Sequence, residues 1–273
     1  MSELVAAVET TEGLFTLNDG RREMVDEARA KVLVEAALAG RSPDSITQVC
    51  LSNKSYDGQA AAVIAEALQK MKNIVEVDFS DMIAGRPEEV GLQVLRAICG
   101  GVATRDLRRV DLSDNAMGQK GIDACRPALE GNPGLQGLLM CNDGLSEAAM
   151  GALRDILLKS TPAAFRTLHF FNNMSGDGGA RALAEVLPHC PDLTDLRFSG
   201  TRAGRAGSIA VVKALLECPA VSSGLLERLD LADNTFGEEG GLQLAMALVD
   251  QPKLVSVNLR DCSLEVRVFM CSS

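Results

Sequence analysis

Carboxylate and amide side chains recur along the sequence at intervals of 28 to 33 residues, each a few residues after a short apolar stretch. If those stretches are neighbouring strands, successive carboxylates lie about 5 Å apart, which is close enough for acid–base catalysis. A row of such side chains could equally bind the basic face of another protein. The residues for which we expect a partner-binding role are Asp78, Asp81, Asp111, Asp114, Asn172 and Asp233.

Enzyme chemistry is the less favoured of these two interpretations. The sequence contains no GxSxG motif, no P-loop and no dinucleotide-binding fingerprint. Similar carboxylate pairs recur along the chain, and the repeated pattern predicts no closed pocket around any one of them. The net charge is −10, which disfavours nucleic acid and anionic membranes because both would be repelled. The charge therefore favours a protein partner with a basic face.

The elements that must position these side chains repeat at the same interval. Two clear copies are "LRRVDLSDNAMGQKG" from Leu107 and "LERLDLADNTFGEEG" from Leu226. Each copy is apolar at positions 1, 4 and 6 and polar at position 8, with Asn often at position 9. The eight copies begin at Ile46, Ile74, Leu107, Leu135, Phe165, Leu193, Leu226 and Leu254. This period and pattern are typical of leucine-rich repeats.

Each copy combines a short strand with a helix, since helical spacing follows in stretches such as "GARALAEVLPHC". The chain is therefore predicted to have an α/β fold, a leucine-rich-repeat solenoid of the ribonuclease-inhibitor type with parallel strands on its concave face and helices on its convex face. Positions 4 and 6 should point into the core. Asn115, Asn173 and Asn234 at position 9 should bond backbone groups in the turn after the strand.

Two segments follow from this pattern. Residues 1–45 are predicted to form an N-terminal capping segment, with residues 20–38 forming a helix. Residues 46–273 are predicted to form the solenoid of about eight repeats, of which the last is incomplete. Because a solenoid end needs a polar cap, the apolar residues Val268, Phe269 and Met270 indicate an array truncated at its C-terminus.

The cysteines and histidines predict neither disulfides nor a metal site. Eight cysteines are scattered without a CxxC pair, mostly in apolar segments where a free thiol packs as a small hydrophobe. This predicts a reducing compartment. His169 and His189 are expected to be structural, with His169 at an exposed strand position. No apolar run reaches the ~18 residues of a membrane helix, so no membrane insertion is expected.

The stretch "AGRPEE" at residues 84–89 contains an unusual arginine. Pro87 suits the first position of a helix, and Glu88 and Glu89 suit its first turn. Arg86 is then predicted to be the capping residue, although its side chain offers no hydrogen-bond acceptor to the free N–H groups. A poor cap in a surface loop needs another explanation.

The stretches "VDFSDMIAGRPEE" (77–89), "CNDGLSE" (141–147) and "FNNMSGDGGARALAE" (171–185) resemble the Ran GTPase-activating proteins, most closely those of plants. The resemblance spans roughly residues 15–262. It implies that the chain stimulates GTP hydrolysis by the small GTPase Ran in its GTP form, with a Ran-binding co-activator as a further partner. No cofactor is expected, because the partner carries the GTP and the Mg²⁺. The implied location is cytoplasmic or perinuclear.

The resemblance also implies two catalytic residues, Asn142 and Arg86. Asn142 matches the asparagine with which the family positions the glutamine of the GTPase that orients the attacking water. Arg86 matches the family's arginine in a "GR" loop, which implies a role in binding or in ordering the partner's switch and not as an arginine finger. Glu88 departs from members that carry a basic residue there. The alternative is a leucine-rich-repeat interaction module without activating capacity.

Overall fold

The computed structural model describes residues 12–159 and 164–264. The chain divides into two compact units, Met1–Asp143 and Gly144–Ser273. Val268, Phe269 and Met270, on which the expected truncation was argued, lie outside the described residues.

Unit 1 alternates short strands with helices. Its elements are β1 (Leu14–Thr16), β2 (Met24–Val25), α1 (Glu27–Leu38), β3 (Gln48–Cys50), β4 (Ser55–Tyr56), α2 (Gly58–Lys70), β5 (Glu76–Asp78), α3 (Glu88–Gly101), β6 (Arg109–Asp111), α4 (Gly118–Leu129) and β7 (Gly137–Leu139). The order β1-β3-β5-β6-β7 forms a parallel sheet. β2 and β4 form a separate parallel pair.

Unit 2 continues the same alternation. Its elements are α5 (Glu147–Leu158), β8 (Thr167–His169), α6 (Gly176–Val186), β9 (Asp195–Arg197), α7 (Arg205–Glu217), α8 (Pro219–Ser222), β10 (Arg228–Asp230), α9 (Gly237–Leu248) and β11 (Ser256–Asn258). β8, β9, β10 and β11 pair in parallel in that order. These strands and helices confirm the predicted α/β leucine-rich-repeat fold, with a strand followed by a helix in each repeat except that of β11, after which no helix lies within the described residues.

The repeat positions have the predicted roles in packing. Val110 and Leu112, at positions 4 and 6 of their repeat, are completely buried. Asn115 at position 9 is also buried, and its Oδ1 accepts a hydrogen bond from Met82 N at 2.9 Å. Its Nδ2 donates to Phe79 O at 2.9 Å and to Leu112 O at 2.7 Å. The side chain therefore satisfies backbone groups of its own repeat and of the preceding one, as buried polar groups require.

The N-terminal helix is shorter than predicted. α1 begins at Glu27 because Asp26 caps it, with the Asp26 carboxylate accepting from Arg29 N at 2.8 Å. Residues 20–25 precede the helix and include β2, and β1 adds a strand to the sheet before the first predicted repeat.

Seven cysteines lie within the described residues, and all are free. Six are buried and Cys50 is half-buried. Burial raises the pKa of the Cys218 and Cys262 thiols, so both remain protonated and behave as small apolar side chains. Across residues 12–159 and 164–264, none of the helices has the length and apolar character needed to cross a membrane.

A column of left-handed backbone conformations follows the strands. Position 8 of every repeat has a φ between 50° and 63°, at Asn53, Asp81, Asp114, Asn142, Asn172, Gly200, Asp233 and Asp261. This conformation costs least for glycine, and less for Asn and Asp than for other residues, because their short polar side chains can bond the local backbone. The polar column predicted from the sequence therefore has a backbone cause.

Candidate functional site

Asn142 lies on the exposed edge of unit 1, in the turn that follows β7. Its Nδ2 donates a hydrogen bond to Asp114 Oδ1 at 2.8 Å. Asp114 occupies the same position in the preceding repeat and is also exposed, with its backbone N donating to Cys141 O at 2.8 Å. The two neighbouring loops therefore hold the carboxylate and the amide side by side.

The bond to Asp114 determines what Asn142 can offer another molecule. An amide has one donor end and one acceptor end, so directing Nδ2 at Asp114 turns Oδ1 away from it. The carboxylate strengthens the bond because its acceptor is charged. The arrangement therefore fixes the orientation of an exposed amide on this edge of unit 1.

Asp143, the residue after Asn142, is a feature that the sequence reasoning missed. It is completely buried at position 9, where three other repeats carry Asn, and its Oδ1 accepts from Asn115 N at 2.8 Å. Burial raises the pKa of Asp143 well above its ordinary value, and the carboxylates of Asp114 and Asp111 act in the same direction. The stretch "CND" carried the signal, since aligning the repeats places an acid in the asparagine column.

Arg86 turns back onto its own chain. Its Nε donates to Ser55 Oγ at 3.0 Å, and its Nη2 donates to Ser55 O at 2.6 Å and to Val25 O at 3.4 Å. The side chain is half-buried as a result. The guanidinium joins the loop before α3 to both strands of the β2–β4 pair.

The prediction that Arg86 caps the helix is wrong, because the N-cap lies one residue later. α3 begins at Glu88, so Pro87 is its N-cap, and no side chain caps the helix. Arg86 N instead donates to Ile83 O at 3.1 Å, within a turn that precedes the helix. Pro87 O accepts from Gly91 N at 2.9 Å and so begins the helical hydrogen bonding.

The structure places the four predicted carboxylates of unit 1 at the same strand ends. Asp78 and Asp111 are paired in register on β5 and β6, and each accepts a bond from a serine two residues later, at 3.0 Å in both cases. Burial raises the pKa of Asp111, and the neighbouring Asp78 adds to this. Asp81 forms a bidentate ion pair with Arg22, with both distances 2.7 Å. Asp114 is the one that contacts Asn142.

Asn172 and Asp233 lie in unit 2, and both are exposed. Their backbone φ values are 55° and 57°, so they occupy the left-handed position that Asn142 occupies in unit 1. Their role in partner binding stays a prediction.

A cleft of about 670 Å³ lies between the loop before α3 and the loop before α4. Leu92 and Met117 contribute apolar surface, and Arg86 lines one side. Lys120 and Glu88 form an ion pair at 2.6 Å at its rim. Within the described residues, no group of three or more His, Cys, Asp or Glu side chains is arranged to hold a metal ion.

Comparison with known protein families identifies leucine-rich repeats in this chain. A family model described as "Leucine Rich repeat" matches residues 105–124 and 225–245. These matches fall on the repeats of β6 with α4 and of β10 with α9. They agree with the alternation of strand and helix in both units.

Three relatives are Ran GTPase-activating proteins. RAN GTPase-activating protein 1 of Arabidopsis thaliana is 39% identical over 111 residues, which cover 40% of this chain and 20% of that protein. RAN GTPase-activating protein 2 of the same plant is 36% identical over 120 residues, 43% of this chain and 22% of that protein. Ran GTPase-activating protein 1 of Saccharomyces cerevisiae is 28% identical over 233 residues, 80% of this chain and 56% of that protein.

The chain thus spans about a fifth of the plant relatives and just over half of the yeast relative. The resemblance inferred from the "AGRPEE" and "CNDGLSE" stretches is confirmed at the level of overall sequence similarity. This chain is an α/β leucine-rich-repeat protein similar in sequence to the Ran GTPase-activating proteins of plants and yeast.

Proposed function

We propose that this protein stimulates GTP hydrolysis by a Ran-type small GTPase in its GTP form. The names of the plant and yeast relatives support the activity and the partner. The single observation that carries the mechanism is the exposed amide of Asn142, oriented by its 2.8 Å bond to Asp114. A Ran-binding co-activator is part of the same proposal, as a third component that would add contacts between the two proteins.

In the proposed mechanism, Asn142 hydrogen-bonds the side chain of the GTPase glutamine that orients the attacking water. The partner carries the nucleotide and Mg²⁺, and this chain supplies no reacting group. The rate gain comes from orientation, because a glutamine held in one rotamer places the water in line more often. Asp114 contributes by holding the Asn142 amide before the partner binds.

Arg86 is assigned an ordering role in this proposal. Two of its guanidinium nitrogens already bond Ser55 and Val25. An arginine finger must reach the transferring phosphate, and withdrawing Arg86 for that purpose would forfeit charge-assisted bonds worth about 1.5–3 kcal/mol each. We therefore place Arg86 at the partner interface as the residue that orders the loop before α3.

A single-turnover hydrolysis assay with Ran·GTP tests the mechanism. Asn142→Gly removes the amide side chain, and glycine adopts the left-handed backbone conformation without strain. The stimulated rate should therefore fall by at least ~10²-fold. Asn53→Gly is the matched control, since Asn53 has a φ of 61° at the same repeat position. Hydrolysis by Asn142→Gly at the wild-type rate would refute the mechanism.

A second candidate function is partner binding without activation. The inward orientation of Arg86 favours it, because that guanidinium is used within the chain. It predicts that the protein captures Ran loaded with a non-hydrolysable GTP analogue while leaving the hydrolysis rate unchanged. The two functions are separated by running the pull-down and the single-turnover assay on the same preparation.

A further inference from the structure

The segment of residues 18–25 is fixed to unit 1 by a buried lysine. Lys54 is 1% exposed, and its Nζ donates to Asp19 Oδ1 at 2.6 Å and to Glu23 Oε1 at 3.0 Å. It also donates to Arg21 O at 2.7 Å. A buried ammonium must be paired to be tolerated, and here all three of its donors are used. The segment therefore has a defined position.

The same segment is connected to Arg86. β2 pairs with β4, with Met24 opposite Ser55 and Val25 opposite Tyr56. Arg86 Nη2 then bonds the carbonyl oxygens of Val25 and Ser55, at 3.4 Å and 2.6 Å. The exposed residues of the segment and Arg86 consequently share one edge of unit 1.

We call Arg21, Arg22, Met24 and Arg86 the basic edge. Arg21 and Arg22 are exposed, and Met24 is 60% exposed. Asp81 offsets the charge of Arg22 through its bidentate pair, and Lys54 and Arg29 pair with the acidic side chains of the segment. Arg21 and Arg86 therefore carry positive charges that form no ion pair with the described residues, in a chain of net charge −10. Arginine and methionine are enriched in protein interfaces, where they contribute directed bonds and adaptable apolar area.

We propose that the basic edge docks an acidic segment of the partner GTPase. The identity of the partner rests on the proposed function, whereas the chemistry of the docking rests on the charges of the basic edge. The exposed carboxylate of Asp114 lies in the same unit and favours a basic part of the partner. Two surfaces of opposite charge would fix the orientation of the partner, because only one placement satisfies both.

Charge reversal at Arg21 tests the proposal with little risk to folding. The Arg21 side chain makes no hydrogen bond or ion pair with any described residue, so Arg21→Glu changes charge alone. Arg181→Glu is the matched control, because Arg181 is an exposed arginine on α6 whose side chain likewise bonds none of the residues described. Both variants change the net charge by the same amount.

The first measurement uses a fluorescent decaglutamate peptide at low ionic strength. Wild type and Arg181→Glu should bind it, and Arg21→Glu should bind at least ~10-fold more weakly, since like charges brought together are repelled. Failure of the wild type to bind, or equal binding by the two variants, overturns the proposal.

The second measurement titrates each protein against Ran·GTP and records the concentration that gives half-maximal stimulation. Arg21→Glu should raise it at least ~10-fold relative to Arg181→Glu. If the wild type stimulates hydrolysis and the two variants are equal, the docking proposal is overturned and the proposed function stands. If peptide binding behaves as expected and the wild type gives no stimulation, the proposed function fails and the basic edge stands as an acidic-peptide site.

Discussion

The two units share the same repeat skeleton, which consists of positions 4, 6 and 9, and they differ in the side chains at other positions. In unit 1, Asn115 bonds backbone groups of its own repeat and of the preceding one. In unit 2, Asn234 does the same, with Nδ2 donating to Phe198 O at 2.6 Å and Oδ1 accepting from Ala203 N at 3.2 Å. Asn115 and Asn234 therefore have the same role in the two units.

The surfaces differ because other positions vary. Unit 1 carries Asp78 and Asp111 side by side on its strands. At the equivalent strand position unit 2 carries His169, whose Nε2 lies 3.0 Å from Asp195 Oδ1, and Arg197 in the neighbouring strand. Unit 1 also has the N-terminal segment over its strand-end loops. A common skeleton thus supports an acidic strand face in one unit and a mixed one in the other.

The largest expected effect concerns Lys54, for which unit 2 offers no described counterpart. Lys54→Met should destabilise unit 1 by about 3–5 kcal/mol, because it leaves the buried side chain of Asp19 without its cation and leaves Glu23 with Arg29 alone. Urea unfolding followed by circular dichroism measures the loss. Trypsin should also cut faster after Arg21 and Arg22 in the variant.

Lys70→Met is the control for that prediction, since Lys70 forms an exposed pair with Glu66. Exposed pairs contribute little to stability. A Lys54→Met protein as stable and as protease-resistant as Lys70→Met would show that the buried pair does not hold the segment.

Asn115→Ala and Asn234→Ala test whether the skeleton is energetically equivalent in the two units. Each should cost about 2–3 kcal/mol, because each leaves a buried N–H and at least two buried carbonyl oxygens without the amide. Urea unfolding of both variants gives the comparison. A cost confined to one unit would contradict the equivalence.

Asp143 carries a buried carboxyl group at position 9, the position that Asn115 and Asn234 occupy in their repeats. Its folded-state pKa is raised, so the protonated form stabilises the fold most at acidic pH, and this stabilisation is lost as the pH rises towards the folded-state value. Asp143→Asn should therefore stabilise the protein at pH 8 by about 1 kcal/mol or more, which raises its melting temperature. The melting temperature of the variant should also fall less than that of the wild type between pH 5 and pH 8.

Asn115→Asp provides the reciprocal test, because it places a buried acid in the neighbouring repeat. The stability of this variant should fall as the pH rises, as it does for the wild type because of Asp143. Melting curves for wild type and both variants at pH 5 and pH 8 decide the matter, and a wild type more stable at pH 8 than Asp143→Asn would contradict the assignment.

The repeat skeleton could be predicted from the sequence because its rules are local. Apolar residues at positions 4 and 6 and Asn at position 9 recur with each copy, so eight strands and the roles of Asn115 and Asn234 followed from spacing alone. The exposure of Asn142 followed in the same way, since position 8 lies beyond the strand.

The contacts that distinguish unit 1 could not be predicted, because they join residues far apart in the chain. Arg22 pairs with Asp81 across 59 positions, and Arg86 bonds Val25 across 61. No periodicity encodes either contact. His169 was expected at an exposed position, which is wrong: it is 8% exposed, and its Nε2 lies 3.0 Å from Asp195 Oδ1 in the neighbouring strand.

The left-handed conformation at position 8 restricts how this edge can change over evolutionary time. Only Asn, Asp and Gly fit it with little strain, so a substitution there mostly exchanges an amide, a carboxylate or a bare backbone. Such exchanges alter charge and hydrogen bonding one repeat at a time while the backbone stays fixed. A lineage can therefore acquire a new partner along this edge without disturbing the packing beneath it.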